Sequence, residues 1–79
     1  MQPSGSGGVG RAFVRVLGTR RDKYVELSFA LGDPDLAVEL ILPLDAFEEL
    51  CARHGAELLT PEPAAARAFE ELRKRRTTP

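Results

Sequence analysis

One cysteine, one histidine, one tyrosine and no tryptophan occur among the 79 residues. A lone cysteine excludes an intrachain disulfide framework and fits a reducing compartment. One cysteine and one histidine are too few for a structural zinc site. Charge of either sign is also scarce in excess: 11 basic residues against 12 acidic ones give a formal net charge of −1. That removes the overall basic character that draws a domain to nucleic acid. No apolar run approaches the roughly 20 residues of a membrane-spanning helix. The N-terminus lacks the charged-then-apolar pattern of a signal peptide. These absences point to a cytoplasmic chain with no nucleic-acid partner and no membrane partner.

The length allows one domain at most. Residues 1–10, MQPSGSGGVG, form a flexible Gly/Ser-rich tail by composition, and residues 77–79 are a frayed end. Between them lie an α+β domain over residues 11–60 and a C-terminal helix over 61–76. A core this small often leans on a partner, so a homo-oligomer of the free protein is in view.

The chain is organised around Tyr24–Leu42, YVELSFALGDPDLAVELIL. Period-two spacing puts Val25, Leu27, Phe29 and Leu31 on one side, then Leu36, Val38, Leu40 and Leu42. Tyr24, Glu26, Ser28 and Ala30, then Ala37, Glu39 and Ile41, take the other. This alternation around Gly32-Asp33-Pro34-Asp35 predicts an antiparallel hairpin. Proline sits better second than third in a turn, which favours Asp33-Pro34-Asp35-Leu36 over Gly32-Asp33-Pro34-Asp35. The two turns differ in register by two residues, yet both keep the apolar side chains on one face.

Arg11–Gly18 reads as an earlier strand, with Ala12, Val14 and Val16 on the core face and Phe13, Arg15 and Leu17 opposite. A Gly18-led turn follows. The economical topology is a three-stranded antiparallel meander. Leu44–His54 reads as a short helix, with Asp45 as N-cap, Glu48 completing a capping box and Gly55 as the stop. Its stripe of Leu44, Phe47, Leu50, Cys51 and His54 should lie on the sheet. Ala56–Thr60 is extended, with room for a short fourth strand. Thr60 caps the last helix, with Pro61 at its first position and a thin stripe of Ala65, Phe69 and Leu72.

Catalytic material is scant. Cys51 and His54 share a helix face, but a small buried cysteine and a helix-end histidine account for them. Asp33 and Asp35 read as turn formers. The Arg73–Arg76 run reads as a solvated helix end suited to the dipole. No glycine loop has phosphate-binding spacing. Glu26 and Glu39 share the non-core sheet face, with Tyr24 and Ile41 beside them and Phe13 and Leu17 on the neighbouring strand. An apolar patch ringed by charge is the composition of a docking surface. The partner-binding candidates are therefore Phe13, Leu17, Tyr24, Glu26, Glu39 and Ile41. No residue is assigned a catalytic, metal-binding or cofactor-binding role.

Phe13–Val16, then the run from Tyr24 through Leu36 with GDP at the turn, then VELILP at Val38–Pro43, Ala46-Phe47 and Cys51–Arg53 resemble the small auxiliary subunit of bacterial multicomponent phenol hydroxylases. The likeness covers about residues 12–54 and is most specific from Val25 to Pro43. It implies a bacterial, non-catalytic accessory that binds the diiron oxygenase component and assists its assembly or activation at the stage of iron loading. The alternative is a regulatory or metal-delivering small protein acting on another partner.

Overall fold

The structure, a computed structural model, describes residues 11–77, with the backbone alone for Arg76 and Thr77. The elements follow in the order β1 (Ala12–Arg20), β2 (Tyr24–Leu31), β3 (Val38–Pro43), α1 (Leu44–His54), β4 (Glu57–Leu58) and α2 (Pro63–Thr77). The sheet order is β3-β2-β1-β4. β1, β2 and β3 form the antiparallel meander, and β4 joins β1 in parallel on the far edge, so the sheet is mixed. The fold class is α+β, as the sequence implies.

Val14, Val25 and Leu27 are wholly buried, with Val16, Leu44, Phe47, Ala65 and Leu72 around them. Both helices therefore cover one sheet face, the one that alternation selects. α1 lies against β2 and β3, and α2 lies against β1. Phe47 and Phe69 join the helices, their rings near perpendicular with centroids 5.4 Å apart. This edge-to-face arrangement sets a positive ring edge against a negative face.

The hairpin reconciles two features that had looked exclusive. Leu36 N donates to Asp33 O at 3.0 Å, so the turn is Asp33-Pro34-Asp35-Leu36. Asp33 also accepts from Asp35 N through its side chain at 2.9 Å. Yet Leu27 pairs with Leu40 and Phe29 with Val38, the register of the other turn. Both hold because the strands stop at Leu31 and resume at Val38, leaving a connection longer than a tight turn. Leu31, Leu36 and Val38 are exposed there.

Gly18 is not in the β1–β2 turn. β1 runs on to Arg20, and the register shifts between Val16 and Gly18, a bulge with Leu17 as the extra residue. Arg21 and Asp22 make the turn at φ of 53° and 52°. Lys23 N closes it on Arg20 O at 3.0 Å. Positive φ at both central positions marks the type I′ class, whose twist matches that of the flanking strands.

The helix starts also differ from expectation. The N-cap of α1 is Pro43, without a side-chain cap, and Asp45 lies within the first turn. There its charge still favours the helix dipole. At the other end Gly55 adopts φ 55°, and the amides of Gly55 and Ala56 return to Ala52 O and Cys51 O, a Schellman arrangement. The last helix begins at Pro63, not Pro61, and reaches Thr77 rather than Arg76. Ala66 N donates to Glu62 O at 2.9 Å. Pro63 disfavours the α region at Glu62, which works against a helix running on from Pro61. Residues 1–10, 78 and 79, assigned above to a tail and an end, lie outside the described residues.

Candidate docking face

The sheet face away from the helices is ordered by the strand register into rows. Phe13 pairs with Ala30, and on the β4 side with Glu57. Arg15 pairs with Ser28, and Ser28 with Glu39. Gly18 pairs with Glu26, and Glu26 with Ile41. Arg20 pairs with Tyr24, and Tyr24 with Pro43. Glu26 and Glu39 thus share the face, but diagonally, each opposite an uncharged residue.

Leu17, Arg20, Glu26, Glu39, Leu40 and Ile41 line an open groove of about 430 Å³. Four of the six sequence candidates meet here: Leu17, Glu26, Glu39 and Ile41. The bulge helps, because doubling β1 residues opposite Glu26 leaves Leu17 on this face beside Gly18. Leu17 and Ile41 are about half exposed, at 41% and 50%, enough for both to lose substantial apolar area to a partner. Tyr24 stands one row away, with the Lys23 ammonium 5.9 Å from its ring. Phe13 is apart, beneath the Arg11 guanidinium at 5.1 Å. Arg11 in turn pairs with Glu57.

Sequence reading missed Arg20. Its Nε donates to Glu26 Oε2 at 2.6 Å, so the Glu26 charge is answered within the chain. The signal was available: a hairpin tip at Arg21-Asp22 puts Arg20 beside Tyr24, and assigning Gly18 to the turn hid it. A Cβ at Gly18 would lie 3.3 Å from Glu26 Oε1, a close contact with the end of that side chain. Glu39 is exposed and makes no ion pair among the described residues. β1 contributes Arg15 and Arg20 to this face and β3 contributes Glu39. The face therefore carries Arg15, Leu17 and Arg20 on β1, Glu26 on β2, and Glu39 and Ile41 on β3.

The other chemical candidates have structural occupations. Burial first, and the nearby Glu48 carboxylate second, push the Cys51 thiol above its ordinary pKa, so at neutral pH it is protonated and a poor nucleophile. The His54 ring packs on Phe29 with centroids 5.4 Å apart. Asp22 and Arg75 tie the β1–β2 turn to α2 at 2.5 Å, and Arg73 reaches Glu70 at 3.2 Å. The basic helix end is thus engaged with its own chain. Among the described residues no three His, Cys, Asp or Glu side chains gather as a metal site would require. No helix among them is long and apolar enough to cross a membrane.

A family model described as phenol hydroxylase subunit matches residues 7–60. The auxiliary component DmpK of phenol 2-monooxygenase from Pseudomonas sp. (strain CF600) is 37% identical over 59 residues, which is 75% of this chain and 62% of that protein. The chain thus spans less than two thirds of that relative's length. No solved structure matches it significantly.

Proposed function

The chain belongs to the phenol hydroxylase subunit family, and from that premise we propose that it is a non-catalytic accessory of a multicomponent aromatic monooxygenase. It binds the diiron oxygenase component in the cytoplasm and assists that component's assembly or activation by promoting iron loading. The observation that carries this reading is the family match over residues 7–60, which includes the whole sheet. The geometry supports it with a helix-free sheet face holding a groove between Leu17 and Ile41 and an acidic border at Glu39.

The role of each group follows from its surroundings. Leu17 and Ile41 supply apolar area to be buried. Arg20 and Glu26, already paired, hold the groove wall and keep a desolvated carboxylate satisfied. Glu39 offers the acceptor for a partner lysine or arginine. Tyr24 contributes a rim ring, and Phe13 lies at the periphery.

Co-expression of the oxygenase with and without this chain tests the function. Iron per oxygenase should be higher with it, and the chain should be retained on the tagged oxygenase. Equal iron in both preparations, or no retention, rejects the reading.

A further inference from the structure

The edge of the sheet, as distinct from its face, is also unfinished. β3 is an outer strand, unpaired on one side among the described residues. Protected edges carry lysine, a central proline or a bulge. β3, VELILP, has no lysine and has proline only as its last residue. Val38 on this edge is 56% exposed and Leu36 just before it 73%, so apolar side chains flank open backbone hydrogen-bonding groups.

We infer that this edge pairs with the same edge of a second copy, joining two sheets about a two-fold axis through Leu40. The register selects the axis. Centred on Glu39, the join would set Glu39 against its own copy, an unfavourable like-charge pair. Centred on Ile41, it would push Val38 past the end of the partner strand. Centred on Leu40, it pairs Val38 with Leu42 of the second copy and Glu39 with Ile41. The apolar row then runs on unbroken beneath the helices.

The flank of α1 above this edge fits the same axis. Leu42, Ala46, Glu49, Leu50, Arg53 and His54 line a cleft of about 220 Å³ between β3 and α1. His54 meets Phe29, which pairs with Val38, while Leu42 lies by Ala46 and Leu50. Leu40 therefore stands level with the segment between Leu50 and His54. A two-fold axis there runs the two α1 helices antiparallel and brings Glu49 of each towards Arg53 of the other. Within one chain these residues are an exposed pair at 2.8 Å, free to exchange partners. A surface that reverses its own charges under a two-fold is self-complementary, as an isologous contact requires. This inference uses the backbone edge of β3 and the flank of α1, whereas the oxygenase reading uses the opposite sheet face, and the two share Glu39 and Ile41, which the join sets side by side at its border.

Sedimentation equilibrium of the full chain from about 1 µM to about 1 mM tests it, because so small a contact should dissociate in the micromolar range. The mass should rise to that of two chains. Arg53→Glu should weaken association at least about tenfold by facing carboxylates across the axis. The double exchange Glu49→Arg with Arg53→Glu should restore it. Val38→Lys should weaken it comparably by installing an edge lysine. Circular dichroism confirms that each variant is folded, which the exposure of all three sites favours. A monomer at every concentration overturns the proposal and leaves the edge to a different chain. A dimer indifferent to both Arg53→Glu and Val38→Lys overturns it too, since that dimer uses another surface.

Discussion

At the scale of the residue, burial separates side chains that alternation treats alike. Leu27 has no exposed surface, whereas Phe29 on the same face is only half-buried and Leu31 is 52% exposed. Leu27→Ala should therefore cost about 2–5 kcal/mol, read as a fall in the urea midpoint. Leu31→Ala, in contrast, should fall within about 0.5 kcal/mol of wild type. Cys51 gives a pH prediction with a definite sign. Its thiol is held above the ordinary pKa by burial, then by Glu48, so the folded chain keeps the proton longer than the unfolded one. The linked stability is fully present below the unfolded pKa and is lost as pH rises through the folded one. Cys51→Ala should remove this component of the alkaline decline, seen by comparing urea midpoints of the two proteins across alkaline pH. Alkylation of Cys51 in the native protein should require higher pH than alkylation in urea.

At the scale of the element, turns and caps divide according to how local their causes are. Gly55 ends α1 in the left-handed region with open space around it. Gly55→Ala should thus cost about 1 kcal/mol from backbone strain alone. The β1–β2 turn holds two ordinary residues, Arg21 and Asp22, at positive φ. Replacing them with Asn-Gly, the preferred pair for this turn class, should raise stability by about 1 kcal/mol. Loss of the Asp22–Arg75 ion pair should subtract little, because both side chains are largely exposed. A lower midpoint would show that the turn is not of this class. The three meander strands and the α1 bounds were legible because alternation, Pro43 and Gly55 act within a few residues, whereas the end of β1 was not, because the bulge lets the strand run past Gly18 to Arg20. The start of α2 was legible too, in the restriction Pro63 places on Glu62, but the earlier Thr60-Pro61 masks it.

At the scale of the whole molecule, the two helices occupy one sheet face and leave the other uncovered among the described residues. Glu39→Lys combined with Ile41→Lys should weaken oxygenase binding at least about tenfold, as expected for a lost charge contact and a lost apolar one. Native circular dichroism should accompany it, since both side chains point away from the core. Unchanged affinity in a pull-down titration would assign the contact to another surface. Glu26 is a poorer probe than Glu39, because reversing its charge also breaks the pair with Arg20 and sets two cations together. That difference is invisible in the sequence, where the two acids look equivalent.

The sequence by itself determined that Val25, Leu27, Phe29, Leu40 and Leu42 share the helix-covered face, since a strand's side chains must alternate and only one set is greasy enough to bury. It also determined that Gly55 ends a helix, because that conformation is local. Only the tertiary structure decided the register of β2 on β3 and the placing of β4 beside β1. Each of these depends on how far apart two distant stretches of backbone come to rest. Phe47, Phe69 and Leu72 pack with the core from helices remote in the chain, and such contacts are not specified by any residue's near neighbours.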